Sequence, residues 1–145
     1  MTRINVIPVE ELSDQHLIAE YRELPRCIKQ PIDISDAPDT YCLGKGHMKW
    51  ARKHSKYLLR RYKDICEEIQ FRNFNPHYTW TSLLNWVSYT GALRDLPIGD
   101  YEPTEKDIQL NIKRIVEKYR LKPNWYRWTN RNKPIYMEVQ NGRTM

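Results

Sequence analysis

The chain has 145 residues, 40% of them hydrophobic and 29% charged, with a net charge of +6. That length suits a single compact domain, residues 1–145, able to bury roughly two-thirds of its unfolded surface. No apolar run is long enough to span a bilayer, and no charged leader precedes an apolar stretch, so a membrane protein is not expected.

The charge is unevenly spread. Residues 1–41 carry a net −4, residues 42–72 a net +6, residues 73–100 a net −1 and residues 101–145 a net +5. Basic segments in a chain with 5 Trp and 10 Tyr favour a polyanion that also stacks, nucleic acid before a membrane surface. Cys27, Cys42 and Cys66 are odd in number and lack metal-type spacing, which points to a reducing cytoplasm. His16, His47, His54 and His77 form no ligand cluster, so neither a metal nor a cofactor is expected.

At the amino terminus, Thr2 is small enough for Met1 to be removed, which would leave a free α-amine. Such an amine has a pKa of roughly 7.7–8.0 against about 10.4 for Lys, so about a tenth of it is neutral at pH 7. Neutral amines attack electrophilic sugar carbons and form Schiff bases. By position alone, a frayed terminus is the favoured reading of Thr2, and the acidic and cationic residues downstream reverse it.

A first helix is expected over residues 9–24, or from as late as Ser13, with Pro25 kinking it, ending it or letting it continue beyond. Gln15, Ala19, Arg22, Glu23 and Arg26 share one face of it, with His16 at the edge, while Leu17, Tyr21 and Leu24 point to the core. That polar face is either a solvated surface with an Arg22–Glu23 pair or a site where arginines hold phosphates and Glu23 moves protons. An acidic loop follows between Cys27 and Cys42. Leu43-Gly44-Lys45-Gly46-His47 is either a tight turn or a place where backbone N–H groups approach a phosphate.

The second helix runs from a Ser55 cap to about Arg72, burying Leu58, Tyr62, Ile65, Cys66 and Ile69 and leaving Arg60, Arg61 and Lys63 mostly off that stripe. A short helix is possible over residues 80–89. The third opens at Thr104, with Asp107 placed for a capping box, and stops before Pro123. It buries Ile108, Ile112, Ile115, Val116 and Tyr119 and sets Arg114 and Lys118 one turn apart, as solvated surface or as DNA contacts. No strand alternates convincingly. The fold class is therefore all-α, three main helices with long connecting loops.

Met1-Thr2-Arg3-Ile4-Asn5, Asp14-Gln15-His16-Leu17 and Glu20-Tyr21-Arg22-Glu23-Leu24-Pro25-Arg26 together resemble the start of the pyrimidine-dimer DNA glycosylases, closely over residues 1–26 and collinearly beyond. The resemblance implies a compact helical bundle with the amino terminus lodged among the helices. It also implies a mechanism without a metal. Thr2 attacks C1′ of the sugar under the 5′ base of an ultraviolet-induced cyclobutane dimer, and an imine forms. Glu23 then assists loss of a C2′ proton so that β-elimination cuts the strand. Arg22 and Arg26 bind phosphates flanking the lesion and Arg3 anchors the DNA, with Gln15 and His16 on the same surface. The nucleotide opposite the lesion is extruded.

Further along, Gly44 and Gly46 lie in a segment similar to the family's Leu-Gly-x-Gly-His, and Gly99-Asp100-Tyr101-Glu102-Pro103 resembles its approach to the last helix. Arg114 and Lys118 align with phosphate-binding positions. Trp125, Tyr126, Arg127 and Trp128 match an aromatic-basic stretch near the DNA; core packing is expected for Trp125, and either packing or base stacking for Trp128. The chain departs from the family in its shorter, acidic 31–39 loop, in a longer segment between Asn75 and Gly99, and in Thr129-Asn130-Arg131-Asn132-Lys133 after the aromatics. The partner implied is double-stranded DNA with pyrimidine dimers or abasic sites, met by a monomer in the cytoplasm, that of a bacterial host if the chain is phage-encoded. A non-catalytic DNA-binding protein on the same scaffold is the alternative, against which the retained Thr2 and Glu23 argue.

Overall fold

The computed structural model describes residues 4–30, 32–76, 79, 81–83, 85 and 99–138. Among them there are helices and no strands, as an all-α chain requires. Helix α1 spans Asp14–Lys29, α2 His47–Lys53, α3 Ser55–Phe71 and α4 Glu105–Leu121, with 3₁₀ turns at Val9–Glu11 and Ile135–Met137. Helix α2 was not legible in the sequence pattern. Residues 81–83 and 85 are helical, and the rest of the segment expected at 80–89 lies outside the described residues.

Helix α1 opens on Ser13, whose hydroxyl accepts the His16 N–H. It does not stop at Pro25. The chain continues helically to Lys29 because Cys27 and Ile28 are buried, and because Arg52 of α2 closes the exposed end. One guanidinium nitrogen donates to the carbonyls of Cys27 (3.1 Å), Ile28 (2.9 Å) and Gln30 (2.8 Å). Tertiary capping of those carbonyls outweighs the one backbone bond that proline removes.

Helices α2 and α3 are one helical run broken at His54, so Ser55 is the first residue of α3 and not its cap; its hydroxyl donates back to the Arg52 carbonyl at 2.6 Å. The break admits the returning chain: the Lys56 N–H bonds the Gly99 carbonyl at 3.1 Å. A Cβ on Gly99 would lie 2.7 Å from the Lys53 carbonyl oxygen, so only glycine permits this approach. Helix α4 begins with the full capping box expected of Thr104 and Asp107.

The buried hydrophobic residues form one cluster, centred on Leu17, Leu24, Trp50, Leu58, Ile65 and Ile115. Beneath α1 it is crossed by charge. Glu20 is fully buried and accepts from Arg61 Nε at 2.5 Å and Nη2 at 3.1 Å, so Arg61 lies inside and not off the stripe. Arg72, also fully buried, bonds Glu68 at 2.8 Å and Asp14 at 2.9 Å. Arg131 joins the same Glu68 from the far end of the chain at 2.8 Å. The acidic loop lies along α2: Asp36 pairs with Lys49 at 2.6 Å, and Asp39 pairs with Lys53.

Candidate active site and nucleic-acid interface

Thr2 and Arg3 lie outside the described residues, but the chain just after them is held on every side. Ile4 is buried, and its N–H donates to His47 Nε2 at 2.8 Å while its carbonyl accepts from the Tyr41 hydroxyl at 2.8 Å. Asn5 donates to Glu20 at 2.9 Å and accepts from Asn111 at 2.8 Å. The Asn111 carbonyl oxygen takes the N–H groups of Val6 (2.6 Å) and Ile7 (3.1 Å), and Arg61 donates to the Ile7 carbonyl at 2.8 Å. An extended segment has no helical bonds of its own, so these side chains from α1, α2, α3, α4 and the loop at Tyr41 supply its hydrogen bonding.

Burial shapes the ionisation of this clasp. It works against the Arg61 charge, yet the Glu20 carboxylate outweighs it and keeps the guanidinium protonated beyond its ordinary range. Burial raises the Tyr41 phenol, with the Glu20 charge adding to the shift, so Tyr41 stays a neutral donor. Cys27 is pushed up to about 12 by burial, with Glu23 and Glu20 contributing, which makes it an inert thiol.

On the open side of α1, Arg22 and Arg26 are exposed and Glu23 is half-buried. Glu23 Oε2 pairs with Arg26 Nη1 at 3.3 Å, the i,i+3 neighbour on the helix surface, and not with the adjacent Arg22. Its other oxygen, Oε1, is buried with no hydrogen-bond partner among the described residues. A buried carboxylate oxygen left unsatisfied costs free energy, and such groups are retained where something else uses them.

The amino-terminal end of α1 carries the aromatic-basic stretch. Gln15 grips its backbone with both ends of its amide, donating to the Trp125 carbonyl at 2.9 Å and accepting the Arg127 N–H at 3.1 Å. The Tyr126 ring stacks on His16, centroids 4.9 Å apart and 4° from parallel, and also meets Tyr119 of α4 at 5.9 Å. Trp128 packs inward, its indole N–H on the Glu11 carbonyl at 2.9 Å. Trp125 is 54% exposed, contrary to the core packing expected of it. The reason is local: Gln15 and Tyr126 hold the backbone so that the Trp125 side chain projects outward, under Lys122 at 5.7 Å.

Gln15, His16, Tyr126 and Arg127 are thus brought together, with Trp125 at their edge. Arg114 and Lys118 on α4 are half-buried and have no ion-pair partner among the described residues. Gly44 and Gly46 stand apart from that group, in a turn at the start of α2. Both have positive φ, 73° and 91°; Gly44 is open around its α-carbon, whereas Gly46 packs under Pro38 of the acidic loop.

Pattern reasoning missed His47, Tyr41, Asn111, Glu20 and Arg61. A signal was present for three of them. Glu20 lies three after Leu17 and four before Leu24, Arg61 three after Leu58 and four before Ile65, and Asn111 three after Ile108 and four before Ile115. Polar residues at core positions of a helix need buried partners, and here they find one another around the entering chain.

These features define an all-α protein that presents a half-buried carboxylate, one of its oxygens without a donor among the described residues, beside exposed arginines, equipment suited to an enzyme working on a polyanion. The family model of pyrimidine dimer DNA glycosylases matches residues 1–82, more than half of the chain, and the chain belongs to that family of DNA repair enzymes. The match takes in α1 to α3 and the turn at Gly44 and Gly46, and it stops short of Arg114, Lys118 and Trp125–Trp128. No helix among the described residues is long and apolar enough to cross a membrane.

Proposed function

We propose that the protein is a bifunctional DNA N-glycosylase and abasic-site lyase that excises the 5′ base of cyclobutane pyrimidine dimers. The neutral Thr2 α-amine attacks C1′, and the glycosidic bond breaks with its electron pair leaving on the base. The ring-opened sugar becomes an imine on the Thr2 nitrogen. Glu23 takes the C2′ proton, the C3′–O bond breaks to release the phosphate, and water hydrolyses the imine to return the amine. Arg22 and Arg26 neutralise flanking phosphates, Arg114, Lys118 and Arg127 extend the cationic track, and Trp125 stacks on an exposed base.

The observation that carries this reading is the buried, unpartnered Oε1 of Glu23. A surface carboxylate has no reason to bury an oxygen without a donor, whereas a proton acceptor needs a free lone pair facing its substrate. The anchoring of Ile4 supports the nucleophile: it fixes the chain two residues, at most about 7 Å, from Thr2.

The test is borohydride trapping. Protein beginning at Thr2, mixed with duplexes carrying a dimer or an abasic site, should become covalently joined to the DNA on reduction. N-acetylated protein should not, and it should nick neither duplex. Failure of the free-amine protein to trap either substrate, or undiminished nicking after acetylation, overturns the assignment.

A further inference from the structure

The Gly44–His47 turn directs its histidine toward the amino terminus. Gly46 enters α2 with φ of 91°, and the His47 N–H closes the turn on the Gly44 carbonyl at 3.1 Å. This conformation delivers the His47 ring into the core, where it is 4% exposed. The Cys42 carbonyl, an acceptor only, sits 2.7 Å from Nδ1, so Nδ1 carries the proton. The Ile4 N–H, a donor only, sits 2.8 Å from Nε2, so Nε2 offers its lone pair. Tyr41 edge-on at 5.8 Å and Trp50 stacked at 6.1 Å hold the ring plane.

We infer that His47 is a positioning residue for the Thr2 amine: neutral, its tautomer set by the Cys42 carbonyl, it fixes the Arg3–Ile4 peptide plane from which the nucleophile projects. This rests on the proposed imine chemistry. The bond acts on the peptide unit one residue from Thr2. Because that unit is planar, gripping its N–H leaves only the Arg3 φ and ψ and the Thr2 ψ to aim the amine. Among the described residues, the other bonds of the clasp hold the Ile4 carbonyl, Asn5, Val6 and Ile7, each further along the chain from the reacting nitrogen. A displacement of about 1 Å at a reacting atom can cost about 100-fold in rate, so a grip this near the nucleophile matters more than its contribution to folding.

Two substitutions separate positioning from support. His47→Gln places an acceptor oxygen where Nε2 stood and keeps the Ile4 bond. His47→Asn places a donor where Nδ1 stood and keeps only the Cys42 bond. With an abasic-site duplex under single-turnover conditions, borohydride trapping should slow by about 10- to 100-fold in His47→Asn and by only a few-fold in His47→Gln, with unchanged affinity for the duplex. A structural role alone would slow both alike or neither, and either result overturns the inference. Should His47→Asn not fold, an ester in place of the Arg3–Ile4 amide, introduced by ligation at Cys27, deletes only the N–H. That protein should trap about 10- to 100-fold more slowly, and a wild-type rate refutes the positioning role. If the unsubstituted protein itself does not trap, the imine reading has failed and not this one.

Discussion

The two sides of helix α1 use the same side-chain chemistry for opposite ends. On the inner side, Glu20 is fully buried and answered by Arg61, and a second layer joins Asp14, Glu68, Arg72 and Arg131. On the outer side, Glu23 keeps one oxygen without a donor, and Arg22 has no ion-pair partner among the described residues. Inside, every charge is matched, because an unmatched one would be very costly in a low dielectric. Outside, Glu23 and Arg26 form one open pair at 3.3 Å, and a polyanionic partner would complete Arg22. Three positions on one helix therefore separate a buried staple from the carboxylate proposed as proton acceptor.

The sharpest way to break this comparison is to change both carboxylates. Glu23→Gln should lower strand cleavage by about 10² to 10⁴-fold, the usual contribution of a positioned proton acceptor, while the melting temperature holds or rises. Glu20→Gln should instead destabilise by about 3–5 kcal/mol, since it leaves the Arg61 charge buried and uncompensated; denaturant titration reads the loss. If Glu23→Gln unfolds the protein, or Glu20→Gln is neutral in stability, the division between the two sides is wrong.

The cations sharpen it next. Lys49 and Lys53 are occupied by Asp36 and Asp39, whereas Arg114 and Lys118 are not paired among the described residues. Replacing Arg114 or Lys118 by Ala should reduce the slope of log binding constant against log salt by about 0.9 for each DNA phosphate that is no longer neutralised. Lys49→Ala and Lys53→Ala should leave both that slope and the melting temperature unchanged.

The smallest effect concerns pH. Burial alone would raise the Glu68 carboxyl, but Arg131 and Arg72 outweigh it and hold it below the ordinary range. A depressed folded-state pKa means stability is complete above the unfolded value, about 4.3, and is lost as pH falls through the folded one. Acidification from pH 6 toward 3 should therefore loosen the Arg131 end of the aromatic stretch, followed by Trp128 fluorescence. Glu68→Gln should flatten that response.

Much of this was legible in the residues. The stripes at Leu58 to Ile69 and Ile108 to Tyr119, the Thr104–Asp107 box and the polar face of α1 all depend on neighbours within a few positions, and all are present in the fold. Pro25 left the end of α1 open in the sequence because its cost is local while its compensation, Arg52, is 27 residues away. Trp125 misled because an aromatic side chain suggests core, yet the Gln15 amide holds the backbone beneath it and turns the ring outward.

By itself the sequence determined the helical periods, the caps and a family signature whose proposed reactive groups lie within the first twenty-six residues, since each is written in local spacing. Only the tertiary structure decided which charges pair, that His47 and Asn111 receive the entering chain, and that one oxygen of Glu23 is left without a donor. The physical reason is range: helix propensity and capping act over about four residues, whereas desolvation is settled by whatever packs nearby, here partners up to 125 positions apart.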